Sequence, residues 1–309
     1  MAKDMYQKRE ERKNKTEVEK SAKININWYP GHMTKAKREM QTKLKMVDMI
    51  IELRDARIPN ASKNPMIDEL SNGKPRLVIL SKADKAQPNA TKEWIKYLEE
   101  TAKIDKVISA NILKDNMVKI ITEEAKLLMK DKIERQIRRG IKPRPIRAMV
   151  VGVPNVGKST LINAIAKKKV TIAANRPGVT RSLQWAKINS DIELLDTPGV
   201  LWPKFEDQHI GMLLAVSGAI KDDILPIEEV CYFAMNYLIK YYPNSLIERY
   251  GITLDDDPNI VINNIAIKRQ FLLANGEINE KRTIDTIMKE IRGDAIGCVT
   301  WELPDANTK

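Results

Sequence analysis

The sequence predicts an α/β domain with a parallel sheet, followed by a smaller all-helical domain. Five short apolar runs rich in Val, Ile and Leu alternate with longer amphipathic stretches, which is typical of strands that helices cover on both faces. After Pro203 the apolar residues take helical spacing, and prolines and glycines mark the turns. With 309 residues, 43% hydrophobic and 30% charged, the chain is long enough for two globular domains.

The predicted strands are Val47 to Leu53, Leu77 to Leu80, Val107 to Ser109, Ile146 to Val151 and Ile192 to Leu195. The predicted helical stretches are Pro88 to Glu100, Asp115 to Arg139, Ile210 to Ala219, Ile227 to Tyr242 and Ile284 to Ile291. This pattern divides the chain into an N-terminal arm (residues 1–25), an α/β domain (26–205) and a helical domain (206–309). The sequence places the start of the helical domain somewhere between Pro203 and Pro226.

The net charge of +12 is unevenly distributed along the chain. Residues 206–309 hold 10 basic and 17 acidic side chains, whereas residues 1–205 hold 43 and 24. The basic clusters are Lys130, Lys132, Arg135, Arg138, Arg139, Lys142, Arg144 and Arg147, and Lys167 to Lys169. Such density favours a polyphosphate backbone as the partner, with binding that weakens in salt. The alternative for residues 130–147 is a solvated helix face with a linker.

The chain shows no sign of a targeting segment in its first 27 residues, which mix basic and acidic side chains without an apolar run. No stretch approaches the length that spans a bilayer. Cys231 and Cys298 are too few for a disulfide framework, so we expect two buried thiols in a reducing compartment. These features predict a cytoplasmic protein with no membrane partner.

A phosphate-binding loop, Gly152-Val-Pro-Asn-Val-Gly-Lys-Ser159, lies between the fourth predicted strand and a helix. Its glycines let backbone N–H groups approach phosphate oxygens, and the helix N-terminus adds partial positive charge. The residues predicted to contact the nucleotide are Asn155, Val156, Gly157, Lys158, Ser159 and Thr160. Lys158 is expected to neutralise the β- and γ-phosphates, and the Ser159 hydroxyl to coordinate Mg²⁺.

A second phosphate-related motif, Asp196-Thr-Pro-Gly199, follows the fifth predicted strand. Asp196 has the position of a carboxylate linked to Mg²⁺, and the Gly199 N–H that of a γ-phosphate sensor. Between the two phosphate motifs, Thr180 is the candidate for a mobile hydroxyl that closes on Mg²⁺. Ser182 is the competing candidate, and a loop without any metal contact is the remaining alternative.

A base-recognition motif, Ser81-Lys-Ala-Asp84, ends the second predicted strand. Asp84 would accept hydrogen bonds from the guanine N1–H and exocyclic amine, a pattern that adenine does not offer. Lys82 would lay its aliphatic stem along the base, beside Ala83. Ser109 and Ala110, after the third strand, would supply a backbone N–H to the guanine carbonyl. Taken alone, Ser81 to Asp84 would be interpreted as a surface turn.

The order of these motifs is reversed relative to an ordinary GTPase, because the base-recognition motif precedes the phosphate loop. The carboxyl ends of parallel strands meet at one sheet edge, where α/β folds bind ligands. The motifs therefore predict a circularly permuted P-loop GTPase domain that binds GTP and GDP with Mg²⁺. In this order the segment after Gly199 leads directly into the helical domain, so loss of the γ-phosphate is expected to shift that domain.

Together the motifs resemble the RbgA/YlqF family of circularly permuted, ribosome-assembly GTPases. The resemblance also rests on Asn27-Trp-Tyr-Pro-Gly-His-Met33, Asp55-Ala-Arg-Ile-Pro59, Asn64-Pro65, Val200-Leu-Trp202, and Lys268-Arg269 with Gly276. It implies GTP hydrolysis stimulated by the large ribosomal subunit, with the subunit precursor and its rRNA as partners and a helical domain that helps contact that rRNA. The family's base motif begins with Asn, whereas Ser81 stands here, and the resemblance does not cover the arm before Ile24.

Hydrolysis needs a residue that positions water, because Val200 occupies the place where signalling GTPases carry a Gln. The resemblance assigns the catalytic role to His32, and slow turnover is expected until the particle brings it into the site. The resemblance also assigns a K⁺ ligand role to Asn155. We expect a monomer off the ribosome. The alternatives are an RNA-binding scaffold with bound nucleotide and little turnover, and a phosphate-loop ATPase, against which Asp84 argues.

Overall fold

A computed structural model describes residues 41–71, 73–166, 184–196 and 207–304. The α/β part holds a six-stranded sheet in the order β3-β2-β1-β4-β6-β5. Its strands are β1 (Met49–Asp55), β2 (Arg76–Ser81), β3 (Lys106–Ser109), β4 (Ile146–Gly152), β5 (Gln184–Lys187) and β6 (Ile192–Asp196). All five predicted strands are present, and β5 is additional. The α/β prediction is therefore confirmed.

The parallel strands place the ends of distant segments side by side. β1 pairs in parallel with β2 on one side and β4 on the other, β2 pairs with β3, and β4 pairs with β6. The chain thus builds outward from β1 in one direction and then crosses to β4 on the other flank. Such a reversal of strand order opens a crevice at the carboxyl edge of a parallel sheet. The base-recognition motif after β2 and the phosphate loop after β4 flank the end of β1 there.

The sequence pattern missed β5 because this strand carries no apolar run. It lies at the sheet edge and pairs antiparallel with β6, with Trp185 opposite Leu195. The Trp185 side chain remains 37% exposed, and the guanidinium of Arg147 lies 5.1 Å from the centre of its ring. A polar edge strand held by pairing on one side gives no periodic apolar signal.

The helices of the α/β part are α1 (Pro65–Ser71), α2 (Pro88–Glu100), α3 (Met117–Leu128), α4 (Lys130–Arg138) and α5 (Lys158–Ala166). The stretch Asp115 to Arg139, predicted as one amphipathic run, is two helices that meet at Met129. That residue leaves helical geometry with ψ near 5° and buries its side chain to 5% exposure. Burial of this side chain against the core accompanies the break between α3 and α4.

The region after residue 206 is helical, with α6 (Gln208–Ser217), α7 (Ile227–Tyr241), α8 (Pro243–Tyr250), α9 (Pro258–Lys268) and α10 (Glu280–Arg292). Pro243 and Pro258 are among the prolines after Pro203 that were expected to mark turns, and they instead begin α8 and α9. Proline suits the first helical turn, where its missing N–H has no intrahelical partner. The predicted domain boundary at residue 205 lies outside the described residues, and no helix within them is long and apolar enough to span a bilayer.

Candidate nucleotide-binding site

The phosphate loop connects the end of β4 to the start of α5 at the carboxyl edge of the sheet. Gly152 closes β4 at φ +152°, and a Cβ there would lie 2.6 Å from the carbonyl oxygen of Leu53 in β1. Gly157 has φ +110°, and a Cβ there would lie 3.1 Å from the Cδ1 atom of Ile112. Both positions therefore need glycine, for backbone conformation and for close packing against neighbouring loops.

The side chain of Lys158 reaches back across the phosphate loop to its first residues. Its ammonium donates hydrogen bonds to the carbonyls of Gly152 at 2.8 Å and Val153 at 2.6 Å. The residue is only 6% exposed, so these acceptors stabilise a nearly buried charge. Ser159 and Thr160 are exposed in the first turn of α5, where helix N–H groups have no intrahelical acceptor.

Ser81 joins the base-recognition motif to the phosphate loop. Its side chain is fully buried, and its hydroxyl oxygen lies 2.6 Å from the carbonyl oxygen of Val156 and 3.0 Å from that of Arg54. One hydroxyl proton serves one acceptor at a time, and the 2.6 Å separation makes Val156 the closer partner. The two motifs, 75 residues apart in the chain, are thus in direct contact.

Lys82 is held by an ion pair that the sequence motifs did not reveal. Its ammonium lies 2.8 Å from the Asp55 carboxylate, which also accepts two side-chain hydrogen bonds from Arg57. Burial alone would raise the pKa of Asp55, but the charges of Arg57 and Lys82 outweigh it and lower that pKa well below its usual range. Asp55 ends β1 beside the end of β2, and this shared edge was the available sequence signal.

The loop after β3 also reaches the base-recognition motif. The Ala110 N–H donates to the carbonyl of Leu80 at 2.9 Å, and the Ala83 N–H points to the carbonyl of Ala110 at 3.5 Å. A guanine carbonyl would therefore have to share or replace the Leu80 acceptor at the Ala110 N–H. Asp84 is exposed in a short 3-10 turn, and Ser109 is exposed at the end of β3.

Asn155 connects the phosphate loop to the helical region. It has a left-handed backbone with φ +55°, and its side-chain amide donates to the carbonyl of Gly218 at 2.8 Å. Gly218 is the C-cap of α6, and the carbonyl of the preceding residue, Ser217, accepts a hydrogen bond from Arg57 at 3.2 Å. The end of α6 therefore contacts both a phosphate-loop residue and the cation that pairs with Asp55.

The predicted metal-site residues are only partly within the described chain. The backbone of Asp196 ends β6 and pairs with Val150 in β4, two residues before the phosphate loop begins. This pairing places the backbone of Asp196, the first residue of the second phosphate motif, beside β4. The predicted residues His32, Thr180, Ser182, Gly199 and Val200 lie outside the described residues.

The chain is similar to known proteins over most of its length. The family model described as 50S ribosome-binding GTPase matches residues 147–250, beginning in β4 just before the phosphate loop. The chain is 46% identical to Ribosome biogenesis GTPase A of Bacillus cereus, over 91% of this chain and 94% of that protein. It is 44% identical to the protein of the same name from Bacillus pumilus, over 92% and 100%. The crystal structure of GNP-bound YlqF from T. maritima aligns with a TM-score of 0.59 at 24% identity, covering 88% of this chain and 99% of that one.

The fold and the order of its loops define a circularly permuted P-loop GTPase with a smaller helical C-terminal region. The base-recognition motif precedes the segment that the GTPase family model matches, as permutation requires. The chain belongs to the ribosome biogenesis GTPase A family, which confirms the resemblance found in the sequence. It is accordingly a GTPase that uses guanine nucleotide.

Proposed function

We propose that this GTPase binds the precursor of the large ribosomal subunit through its rRNA, in the cytoplasm, and hydrolyses GTP there. Two relatives are named for ribosome biogenesis, and the matching family model is described as 50S ribosome-binding. The observation that carries the nucleotide part is the Ser81–Val156 contact, because it brings the base motif and the phosphate loop into one site. Nucleotide state would set affinity for the particle, and the protein would be a monomer when released.

In the proposed complex Asp84 reads the guanine edge, and Lys82 packs along the base. Asp55 supports this role, because its 2.8 Å ion pair directs the Lys82 ammonium to the end of β1. Ser109 and Ala110 line the base from the neighbouring loop. The loop from Asn155 to Thr160 binds the phosphates, and an ammonium positioned across the loop at Lys158 suits the β- and γ-phosphates.

Mg²⁺ would be held by the Ser159 hydroxyl and Asp196, with Thr180 as the ligand added in the triphosphate state. Ser159 lies in the first turn of α5, and Asp196 ends the strand next to β4. These are hard oxygen donors, which Mg²⁺ prefers together with phosphate oxygens. Gly199 would sense the γ-phosphate. Bound Mg²⁺ would neutralise charge that develops on the phosphate oxygens.

A K⁺ ion at Asn155 is the proposed source of further positive charge. The side chain is exposed, and its amide nitrogen donates to Gly218. An amide that donates through its nitrogen retains a carbonyl oxygen as an acceptor, the atom type that binds alkali cations. The contact with Gly218 would fix which end of the amide faces the ion.

Slow turnover without the particle follows from Val200, whose apolar side chain cannot orient water. His32 is the proposed group that positions the attacking water when the particle is bound, because a neutral imidazole accepts and donates near pH 7. His32→Ala should therefore abolish most of the stimulated turnover while leaving GDP affinity unchanged.

The proposed rRNA contact is the exposed part of the basic cluster at residues 130–147. Within the described chain, Asp48 neutralises Lys132 and Arg144, and Glu134 and Glu193 pair with Arg138 and Arg147. Within this cluster, the exposed cations that form no ion pair with a described residue are Lys130, Arg135, Arg139 and Lys142. This basic surface precedes β4, whose amino end lies opposite the nucleotide edge. Binding of RNA phosphates to this surface would therefore leave the nucleotide-binding loops free.

GTP hydrolysis with and without purified large ribosomal subunits tests the proposal, in KCl and in NaCl at equal ionic strength. We expect slow turnover alone, stimulation by the subunits, and a larger rate in KCl. Tight binding to subunits with unchanged, near-zero turnover would favour the RNA-binding scaffold. Equal competition by ATP would reject guanine recognition.

A further inference from the structure

The turn that carries Asp84 is weakly supported by its own backbone. Residues 83–85 form a single 3-10 turn, closed by a bond from the Lys85 N–H to the Lys82 carbonyl at 2.9 Å. The next bond, from Ala86 N–H to the Ala83 carbonyl, is 3.4 Å long. A three-residue 3-10 turn has poor hydrogen-bond geometry, so its conformation depends on outside contacts.

Several of the outside contacts come from residues near the other end of the chain. Residues 298–302, which we call the C-terminal segment, run along the turn. The Val299 N–H donates to the carbonyl of Lys85 at 3.0 Å, and the Gln87 N–H donates to the hydroxyl of Thr300 at 3.0 Å. The Cys298 thiol lies 3.5 Å from the carbonyl of Asp84 itself. Cys298 is exposed, so the expectation of two buried thiols is wrong for this residue, while Cys231 is buried.

The C-terminal segment is in turn held by the helical region. The hydroxyls of Tyr237 and Tyr242 lie 2.9 and 3.1 Å from the carbonyl of Thr300. Burial raises the pKa of Tyr237, so its hydroxyl stays protonated and able to donate at neutral pH. Thr300 is 1% exposed and Trp301 is 2% exposed, with the Trp301 ring centre 5.1 Å from that of Tyr237.

A third set of bonds anchors the segment to the α/β part. The backbone N–H of Trp301 donates to the carbonyl of Arg57 at 2.8 Å. The indole N–H of Trp94 donates to the carbonyl of Glu302 at 2.9 Å. The Glu302 carboxylate accepts bonds from the N–H groups of Asn60 and Ala61. The segment is thus hydrogen-bonded to the helical region on one side and to the α/β part on the other.

From these contacts we propose that the C-terminal segment positions Asp84 for guanine recognition, with Thr300 and Val299 as positioning residues. Their bonds fix the carbonyl of Lys85 and the N–H of Gln87, and so the backbone on which the Asp84 carboxylate is carried. Base recognition in this chain then depends on the helical region as well as on the motif at residues 81–84. This inference rests on the proposed role of Asp84 and adds the residues that position its carboxylate.

A comparison of GDP with inosine diphosphate (IDP) distinguishes a displaced Asp84 carboxylate from a general loss of stability. IDP lacks the exocyclic amine of GDP, so an Asp84 carboxylate in the correct place distinguishes the two by one charge-assisted hydrogen bond. A change that only loosens the fold weakens GDP and IDP alike, whereas a displaced carboxylate lowers the ratio of their affinities. The ratio is measured with the full-length protein by titration calorimetry.

The main variant is Thr300→Val, which keeps the shape of the side chain but removes the acceptor for the Gln87 N–H. We expect the GDP-over-IDP ratio to fall about fivefold, the size of one ordinary hydrogen bond. Thr300→Ser keeps the hydroxyl and should restore the ratio. Thr283→Val is the matched control, because Thr283 is fully buried in α10 and its hydroxyl bonds only to the Asn279 carbonyl among the described residues.

The outcomes separate this proposal from the proposed function. A wild-type protein that binds ADP as well as GDP would overturn guanine recognition itself. A wild-type preference for GDP, with the same GDP-over-IDP ratio in Thr300→Val and in Thr283→Val, would overturn the positioning role alone. Where Thr300→Val fails to fold, Cys298→Ala at the exposed end of the segment is expected to lower the same ratio, and an unchanged ratio there would reject the proposal.

Discussion

The hydroxyl oxygen of Ser81 lies 2.6 Å from the carbonyl oxygen of Val156, and the serine side chain is fully buried. This contact links the motif expected to read the base with the loop expected to bind phosphate. Gly157 lies beside this contact, since a Cβ at Gly157 would stand 3.9 Å from the Ser81 Cβ.

Ser81→Ala should weaken nucleotide binding without preventing folding. Removal of the hydroxyl leaves the Val156 carbonyl without this donor, at a cost of about 1–3 kcal/mol for a buried polar group. We expect GDP affinity to fall by about tenfold, measured by titration calorimetry, with a smaller loss for guanosine alone. Ser190→Ala, at an exposed position, is the control, and equal GDP affinity in wild type and Ser81→Ala would contradict a tethering role.

Asp84→Asn should change which base is preferred. An Asn side chain can donate to the 2-oxo group of xanthine, whereas it loses one acceptor for the guanine N1–H and amine. We expect GDP affinity to fall at least 100-fold, about 3 kcal/mol for hydrogen bonds to a charged group, and XDP affinity to rise. Competition between GDP and XDP measures the change, and an unaltered preference for GDP would place the base away from Asp84.

Five of the six strands could be predicted because a parallel sheet is buried on both faces, so each of these strands carries a short apolar run. The contacts that join the site could not. The Ser81–Val156 and Lys82–Asp55 bonds connect residues whose proximity depends on strand order, and strand order follows from no local pattern. The contact of Thr300 with Gln87 spans 213 positions, and no motif signals it. The sequence therefore predicts which loops carry the site residues, but not the hydrogen bonds and ion pairs that hold those residues in place.

Asn155→Ala should abolish the stimulation of turnover by K⁺. The change deletes the amide oxygen proposed as a K⁺ ligand and the 2.8 Å bond to Gly218. We expect particle-stimulated hydrolysis in KCl to drop to the rate in NaCl, with GDP affinity reduced less than threefold, about 0.6 kcal/mol. Asn259→Ala, exposed in α9, serves as the control and should keep the difference between the salts. A persistent K⁺ effect in Asn155→Ala would exclude this residue as a ligand.

The basic surface should bind RNA phosphate in a salt-dependent way. Replacing Arg139 and Lys142 by Ala removes two exposed charges without breaking an ion pair among the described residues. We expect the slope of log affinity against log salt for large-subunit particles to fall by about 2, one unit for each lost phosphate contact. Lys92→Ala with Lys96→Ala, two exposed cations on α2, is the matched control. An equal loss of slope in both double variants would point to general charge instead of this surface.

The docking of the C-terminal segment should weaken as pH rises from about 4.5 to about 7. Burial raises the pKa of Glu302 to about 7, against a usual value of 4.5, although the Ala61 and Asn60 N–H groups oppose this. The folded state therefore holds a proton that the unfolded state releases, and the free energy of unfolding falls between pH 4.5 and 7. Amide hydrogen exchange at Trp301, corrected for the intrinsic rate, should show less protection at pH 8 than at pH 6.

Glu302→Gln cannot ionise, so its protection should stay constant across this range. A pH dependence in the variant equal to that of the wild type would assign the titration to another group.

A crystal structure of the full chain with bound GDP tests the central claim most directly, namely that the motif at residues 81–84 and the loop at residues 152–159 form one pocket. We expect the Asp84 carboxylate within hydrogen-bond distance of guanine N1 and its exocyclic amine, and Lys158 within the same distance of the β-phosphate. A nucleotide bound elsewhere, or one that contacts Lys158 with its base directed away from Asp84, would contradict the account.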